Sequence, residues 1–181
     1  MRILGIDPGS VFCGYGVIDA NGKELKIVEY GTIEVKKKAE EITLRMKEIY
    51  ERIHSVIERT QPATASIEAT FFGKNVQSLL KLTMARSAAL MAIINSDVSV
   101  NEYSAKEIKR SVTGRGNASK EQVRFMVKAL LGISSDTEYF DTTDALAIAI
   151  CHHYNSDSSK LKRNTSWAQF IKENPQKIAK L

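Results

Sequence analysis

The sequence predicts an α/β domain: a five-stranded mixed sheet flanked by helices on both faces. Three observations carry this. Short apolar runs with strand character alternate with helical periodicity; an Asn21-Gly22 pair sits between two such runs; and two of the runs each end in an acid, Asp7 and Glu68.

The first run, Arg2–Asp7, stops at Pro8-Gly9-Ser10, which is turn chemistry. Gly14–Asp19 reads as a second strand. Asn21-Gly22 forms a hairpin turn, and Leu25–Val35 a third strand. After Lys36-Lys37-Lys38, the apolar residues Ile42, Met46, Ile49, Ile53, Val56 and Ile57 recur at three- and four-residue steps, predicting an amphipathic helix over 40–60 that Pro62 ends. Ala63–Glu68 is the fourth strand, a helix follows over 75–95, and Asp97–Tyr103 is the fifth strand. Ser104 and Glu107 form a capping box opening a helix to Val112. The glycines of 113–118 make a loop, and Ser119 caps a helix to Leu131. A last helix is predicted over 141–153. Beyond Tyr154 the composition turns polar, dividing the chain into a domain at 1–154 and a polar, basic tail at 155–181. A helix must cross between the first and fourth strands, so these should be parallel neighbours with their terminal acids side by side.

At 181 residues, 43% hydrophobic and 26% charged, the chain suits one domain with a proper core. The longest apolar stretch, 88–94, is far below the ~20 residues of a membrane span. The first residues do not read as a signal peptide, so the expected compartment is the cytoplasm. Cys13 and Cys151 lack metal-type spacing and read as buried reduced thiols. His54, His152 and His153 read as helix-surface or cap residues without chemistry. The net charge of +5 is unevenly placed: residues 1–105 carry 13 basic and 13 acidic side chains, residues 106–181 carry 13 and 8. An excess confined to one region favours a polyanionic partner.

Asp141 and Asp144 stand i, i+3 at the start of the last helix and can project to one side. Together with Asp7 and Glu68 they make four carboxylates that would repel one another unless a cation neutralised them. Hard oxygen donors, with no Cys or His nearby, point to magnesium or manganese rather than zinc. Residue type and spacing leave a second reading open, with Asp7 a turn residue and Asp141 a helix cap.

The segments Gly5-Ile6-Asp7-Pro8-Gly9-Ser10 and Gly14-Tyr15-Gly16-Val17-Ile18 closely resemble the N-terminus of the bacterial RuvC Holliday-junction resolvases. Ile67-Glu68 with Phe71 and Lys74-Asn75, Glu102-Tyr103-Ser104-Ala105 with Lys109, Gly114-Arg115-Gly116 with Lys120, and Asp141-Thr142-Thr143-Asp144-Ala145-Leu146-Ala147 extend the resemblance in register to about residue 154. The resemblance implies a ribonuclease H-like fold, a homodimer, and paired symmetric nicks in four-way DNA junctions during recombination and repair. It implies Asp7, Glu68, Asp141 and Asp144 as the metal-binding catalytic acids, holding two Mg²⁺ ions for which Mn²⁺ can substitute, and 5′-phosphate and 3′-hydroxyl products. It also implies a branch-migration complex of RuvA and RuvB type proteins as partner.

Lys106, Lys109, Arg110, Arg115, Lys120, Arg124 and Lys128 fall within a short stretch holding only two acids, a patch suited to phosphate. Lys109 and Lys120 match the family's basic positions near the site and are expected to be catalytic as well as DNA-binding. Arg115, in its glycine loop, is expected to contact phosphate, and Asn75 and Lys74 to contact DNA. Phe71, just past Glu68, is expected to stack on an unpaired base at the junction centre, or else to pack in the core or a dimer interface. The small residues Ala85, Ser87, Ala88, Ala89 and Ala92 suit either a dimer interface or close packing on the sheet. A ribonuclease H-like nuclease for RNA–DNA hybrids and a non-catalytic junction binder are the alternatives. An actin-like phosphotransferase fits poorly, since the chain is too short for two lobes.

Overall fold

The structure, a computed structural model, describes residues 1–35, 41–69, 75–133 and 140–159, with the side chains of 140, 141 and 157–159 outside the description. Phe71, Lys74 and the tail from 160, including Trp167 and Phe170, therefore lie outside the described residues, as does the side chain of Asp141.

Five strands form one sheet: β1 (Arg2–Asp7), β2 (Phe12–Asn21), β3 (Glu24–Glu34), β4 (Thr64–Glu68) and β5 (Ser99–Tyr103), in the order β3-β2-β1-β4-β5. β1–β2 and β2–β3 are antiparallel, joined by turns; β1–β4 and β4–β5 are parallel, joined by crossovers. The sheet is mixed, as expected. α1 (Ile42–Thr60) and α2 (Val76–Asn95) cover one face, and α3 (Ala105–Thr113), α4 (Lys120–Leu131) and α5 (Phe140–Ser159) the other. Both predicted caps form: Ser104 with Glu107, and Ser119 with Gln122, each make a reciprocal capping box.

Strand alternation sorts the side chains. Leu4 and Ile6 of β1, with Ala65 and Ile67 of β4, enter the core beneath α1 and α2. Ile3 enters the core beneath α5, and Ser66 bonds the α5 carbonyl of Ile148 at 3.3 Å. With a period of two, Asp7 and Glu68 belong to the α5 face. Ala85, Ala89 and Ala92 are fully buried between α2, the sheet and α1, so these small residues serve packing within the domain.

α5 departs from expectation in two ways. It runs to Ser159, five residues past the point where the sequence turns polar. It is also buried without interruption from Ala145 to His153, enclosed by the sheet on one side and by α3 and α4 on the other. His152 and His153 are therefore core residues, not surface or cap residues. His152 Nδ1 pairs with the Tyr103 hydroxyl at 2.9 Å, and His153 Nε2 donates to the Gly22 carbonyl at 2.7 Å. A helix enclosed on both sides has no polar face, so its periodicity says nothing about which residues are inside. Cys13 and Cys151 are both buried, and neither is in a disulfide. No helix among the described residues is long and apolar enough to cross a membrane.

Candidate active site

α5 lies unusually close to the sheet because two strand positions lack side chains. A Cβ on Gly5 would strike the Ala145 carbonyl oxygen and come within 2.7 Å of Ala149 N; one on Gly16 would come within 2.7 Å of Leu146 Cδ2. This close approach sets Asp144, immediately before Ala145, over the C-terminal ends of β1 and β4. Asp141 lies one turn earlier in α5.

Asp7, Glu68, Asp144, Lys109 and Lys120 line one cavity of about 250 Å³, with an apolar floor that includes Ala105, Ile108, Val123 and Ile148. Three of the four expected acids and both expected lysines are thus brought together. Two strand ends supply Asp7 and Glu68, α3 supplies Lys109, and the first residue of α4 is Lys120. Lys120 Nζ lies 3.3 Å from Asp144 Oδ2. Burial pushes the Glu68 carboxyl above the usual carboxylate range, and the Asp144 charge adds to that; Lys120 and Lys109 oppose it.

The donor set fits a hard divalent cation: half-buried carboxylates from rigid strand ends, with no soft ligand in the cavity lining. Among the described residues no three His, Cys, Asp or Glu side chains already stand close enough together to hold an ion.

The other described candidates, Arg115 and Asn75, fall elsewhere. Arg115 is exposed and lines a separate groove with Phe125 and Met126 on α4. Asn75 is the N-cap of α2; its Oδ1 accepts from Ser78 N at 3.2 Å, a structural role. The structure also places at the site a residue that sequence reasoning did not single out. Arg86 of α2 donates from Nε to the Glu68 carbonyl at 3.3 Å and pairs with Glu102 at 2.6 Å. Only the tertiary crossing of α2 over β4 and β5 makes this contact, so no local pattern announces it.

A mixed sheet in this order, with acids at the ends of its two central parallel strands and on a helix lying over them, defines a nuclease-type domain of the ribonuclease H-like fold. Comparison with known proteins agrees. The family model of crossover junction endodeoxyribonuclease RuvC matches residues 3–152. The protein of that description from Cytophaga hutchinsonii is 44% identical over 176 residues, covering 97% of this chain and 87% of its own. The one from Christiangramia forsetii is 42% identical over 177 residues, covering 97% and 92%. The solved structure of Thermus thermophilus RuvC in complex with Holliday junction substrate superposes with a TM-score of 0.82 at 28% identity, over 88% of this chain and 96% of that one. The chain belongs to the RuvC family of crossover junction endodeoxyribonucleases.

Proposed function

We propose that this chain is a Mg²⁺-dependent endonuclease that resolves four-way DNA junctions by paired symmetric nicks in recombination and repair. The observation that carries the reading is the meeting of Asp7, Glu68 and Asp144 with Lys109 and Lys120 in one cavity of a RuvC-family domain. Membership of the family implies a divalent metal cofactor; Mg²⁺, with Mn²⁺ able to substitute, is the choice the hard oxygen donors favour.

Asp7, Glu68, Asp141 and Asp144 would hold the metal, two ions per site. When bound, it supplies charge neutralisation at the phosphodiester and a water of lowered pKa. The protein's own groups do the rest. Asp7 and Glu68, fixed at strand ends, define where the phosphate sits. Lys109 and Lys120 offset the negative charge that builds on its oxygens. The apolar floor limits water around them. Arg115 contributes phosphate affinity from its groove. Phe71, Lys74 and Asn75 keep the DNA-contacting roles implied by the resemblance, Phe71 stacking on a base at the crossover.

Two copies acting together explain symmetric nicking, since two identical sites facing a symmetric junction cut related strands. Exposed Leu80, Met84 and Met91 on the outward side of α2 support a homodimer. A branch-migration complex of RuvA and RuvB type would deliver the junction, in the cytoplasm.

The test compares a four-way junction, a plain duplex and an RNA–DNA hybrid, with Mg²⁺ and with chelator. Symmetric nicks confined to the junction in Mg²⁺ are expected. A hybrid cut in preference to the junction, or a junction bound and left intact, overturns the reading. Asp7→Asn should abolish cleavage and leave junction binding; loss of both would make Asp7 structural. Phe71→Ala should lose cleavage with little change in melting temperature.

A further inference from the structure

We infer that Arg86 is a positioning residue for the active site, holding the backbone of Glu68 in place from the side of the sheet opposite its carboxylate. The inference rests on the nuclease reading above and names a residue to which that reading gives no role.

The sheet leaves the backbone carbonyl of Glu68 to be held from elsewhere. The β1–β4 ladder ends at Ile6 opposite Ile67, so Glu68 stands one residue past the last pairing on that side. On the other side it is opposite Tyr103, and Ala69 N donates to the Tyr103 carbonyl at 2.9 Å. Past that last pairing β1 continues into Pro8, which has no N–H to offer the Glu68 carbonyl.

Arg86 supplies the missing hold. Its Nε donates to the Glu68 carbonyl at 3.3 Å, while its Nη2 lies 2.6 Å from Glu102 Oε1. Glu102 is opposite Ile67 in the β4–β5 register, so the guanidinium spans adjacent positions of the two strands. Val100 packs with the α1–α2 core, and Glu102, two residues on, shares that face. The carboxylate of Glu68 lies in the cavity on the α5 face, so backbone and side chain are held from opposite faces. The Arg86 side chain is only 13% exposed, which fixes the guanidinium, while its partner Glu102 is 52% exposed. Buried Ala85 and Ala89 bring α2 near enough for that reach. Two contacts at once require arginine's planar fork, which a lysine ammonium does not reproduce.

The geometry predicts how each substitution behaves. Arg86→Lys keeps the charge pair with Glu102 and loses the simultaneous bond to the Glu68 carbonyl. Arg86→Met keeps the packed stem and loses both. Groups that orient a metal ligand typically change metal affinity or activity about ten- to a hundredfold when removed. For each variant we would measure melting temperature, junction binding in chelator, single-turnover cleavage across Mg²⁺ concentrations, and Mn²⁺ binding to the DNA-free protein by calorimetry. Arg86→Lys should melt and bind junction like the parent, cleave about tenfold more slowly or worse, and need more metal, with weaker Mn²⁺ binding. Arg86→Met should show the same metal defect, larger, with a lower melting temperature. Parental Mn²⁺ binding and Mg²⁺ dependence in Arg86→Lys would overturn the inference, as would variants whose cleavage falls only in step with the folded fraction. If the parent fails to nick the junction, the nuclease reading fails on its own, and the Mn²⁺ titration still decides whether Arg86 governs the acid cluster.

Discussion

Gly5→Ala tests whether the closeness of α5 to the sheet is what assembles the site. The added methyl would sit 2.7 Å from Ala149 N and 3.0 Å from Ala149 Cβ, and closer still to the Ala145 carbonyl oxygen. Two of these three atoms are helix backbone, which cannot rotate away. Restoring even a tight ordinary contact of 3.4 Å at Ala149 N requires a local retreat of about 0.7 Å, since the present distance is 2.7 Å. Overpacking of this kind costs about 1–3 kcal/mol. At roughly 2–4 °C per kcal/mol for a chain of this size, melting should fall by about 2–12 °C. Asp144 immediately precedes Ala145 and would move with it, away from Asp7 and Glu68. Misplacement by about 1 Å can cost on the order of a hundredfold in rate, so single-turnover cleavage should fall at least tenfold at temperatures where the variant is folded. Gly16→Ala is the control: its methyl meets chiefly the Leu146 side chain, 2.7 Å away at Cδ2, with Leu146 N farther off at 3.1 Å. It should lower stability while sparing more of the cleavage. A Gly5→Ala protein that melts several degrees lower yet cuts junctions at the parental rate would refute the reasoning, because the clash would then be absorbed without moving Asp144.

Lys120→Ala should leave stability nearly unchanged, since the Lys120–Asp144 pair is 67% exposed on the lysine side and such pairs contribute about 0–1 kcal/mol. Cleavage should fall about a hundredfold or more if Lys120 meets developing charge; a rate within twofold of the parent would leave Lys109 as the catalytic lysine. His152 carries a pH prediction. Burial, and secondarily His153, hold its pKa below the ordinary histidine value, so the unfolded chain takes up a proton at a higher pH than the folded one. Stability from the neutral ring is therefore complete above the ordinary histidine pKa of about 6.5 and declines as pH falls below it. Thermal melts from pH 7 to 5 should show a steeper loss in the parent than in His152→Gln; parallel curves would show that His152 is not responsible.

The parts legible in the sequence are those fixed by local chemistry. Asp7 and Glu68 end strands because apolar runs stop at them, and a helix between parallel strands puts those ends together. The capping box at Ser104 and the cap at Ser119 announce where α3 and α4 begin, which places Lys120 at the first turn of its helix and so at the cavity. The illegible parts depend on contacts between elements distant in the chain. His152 and His153 sit beside polar residues in sequence and deep in the core in space, because α5 is enclosed on both sides. The small residues of α2 fit an interface between copies or a close fit to the sheet equally well until the helix is seen lying on it. Arg86 is one of many basic residues until α2 crosses β4.

These two classes of feature serve the site in complementary ways. Strand ends set the position of two acids along the sheet, and nothing in a strand end controls the distance to a third acid on a helix above it. That distance is set by what separates helix from sheet, and here the separator is the absence of side chains at Gly5 and Gly16. The same α5 that carries Asp144, and Asp141 one turn before it, is held at its far end by the bond from His153 to the Gly22 carbonyl in the β2–β3 turn. Any tilt of α5 about that anchor moves its acid-bearing end most. Substitutions at the anchor, such as His153→Ala, should therefore weaken cleavage more than their distance from the cavity suggests, and an unchanged rate in a well-folded His153→Ala protein would show that packing against the sheet, α3 and α4 fixes the helix without this bond.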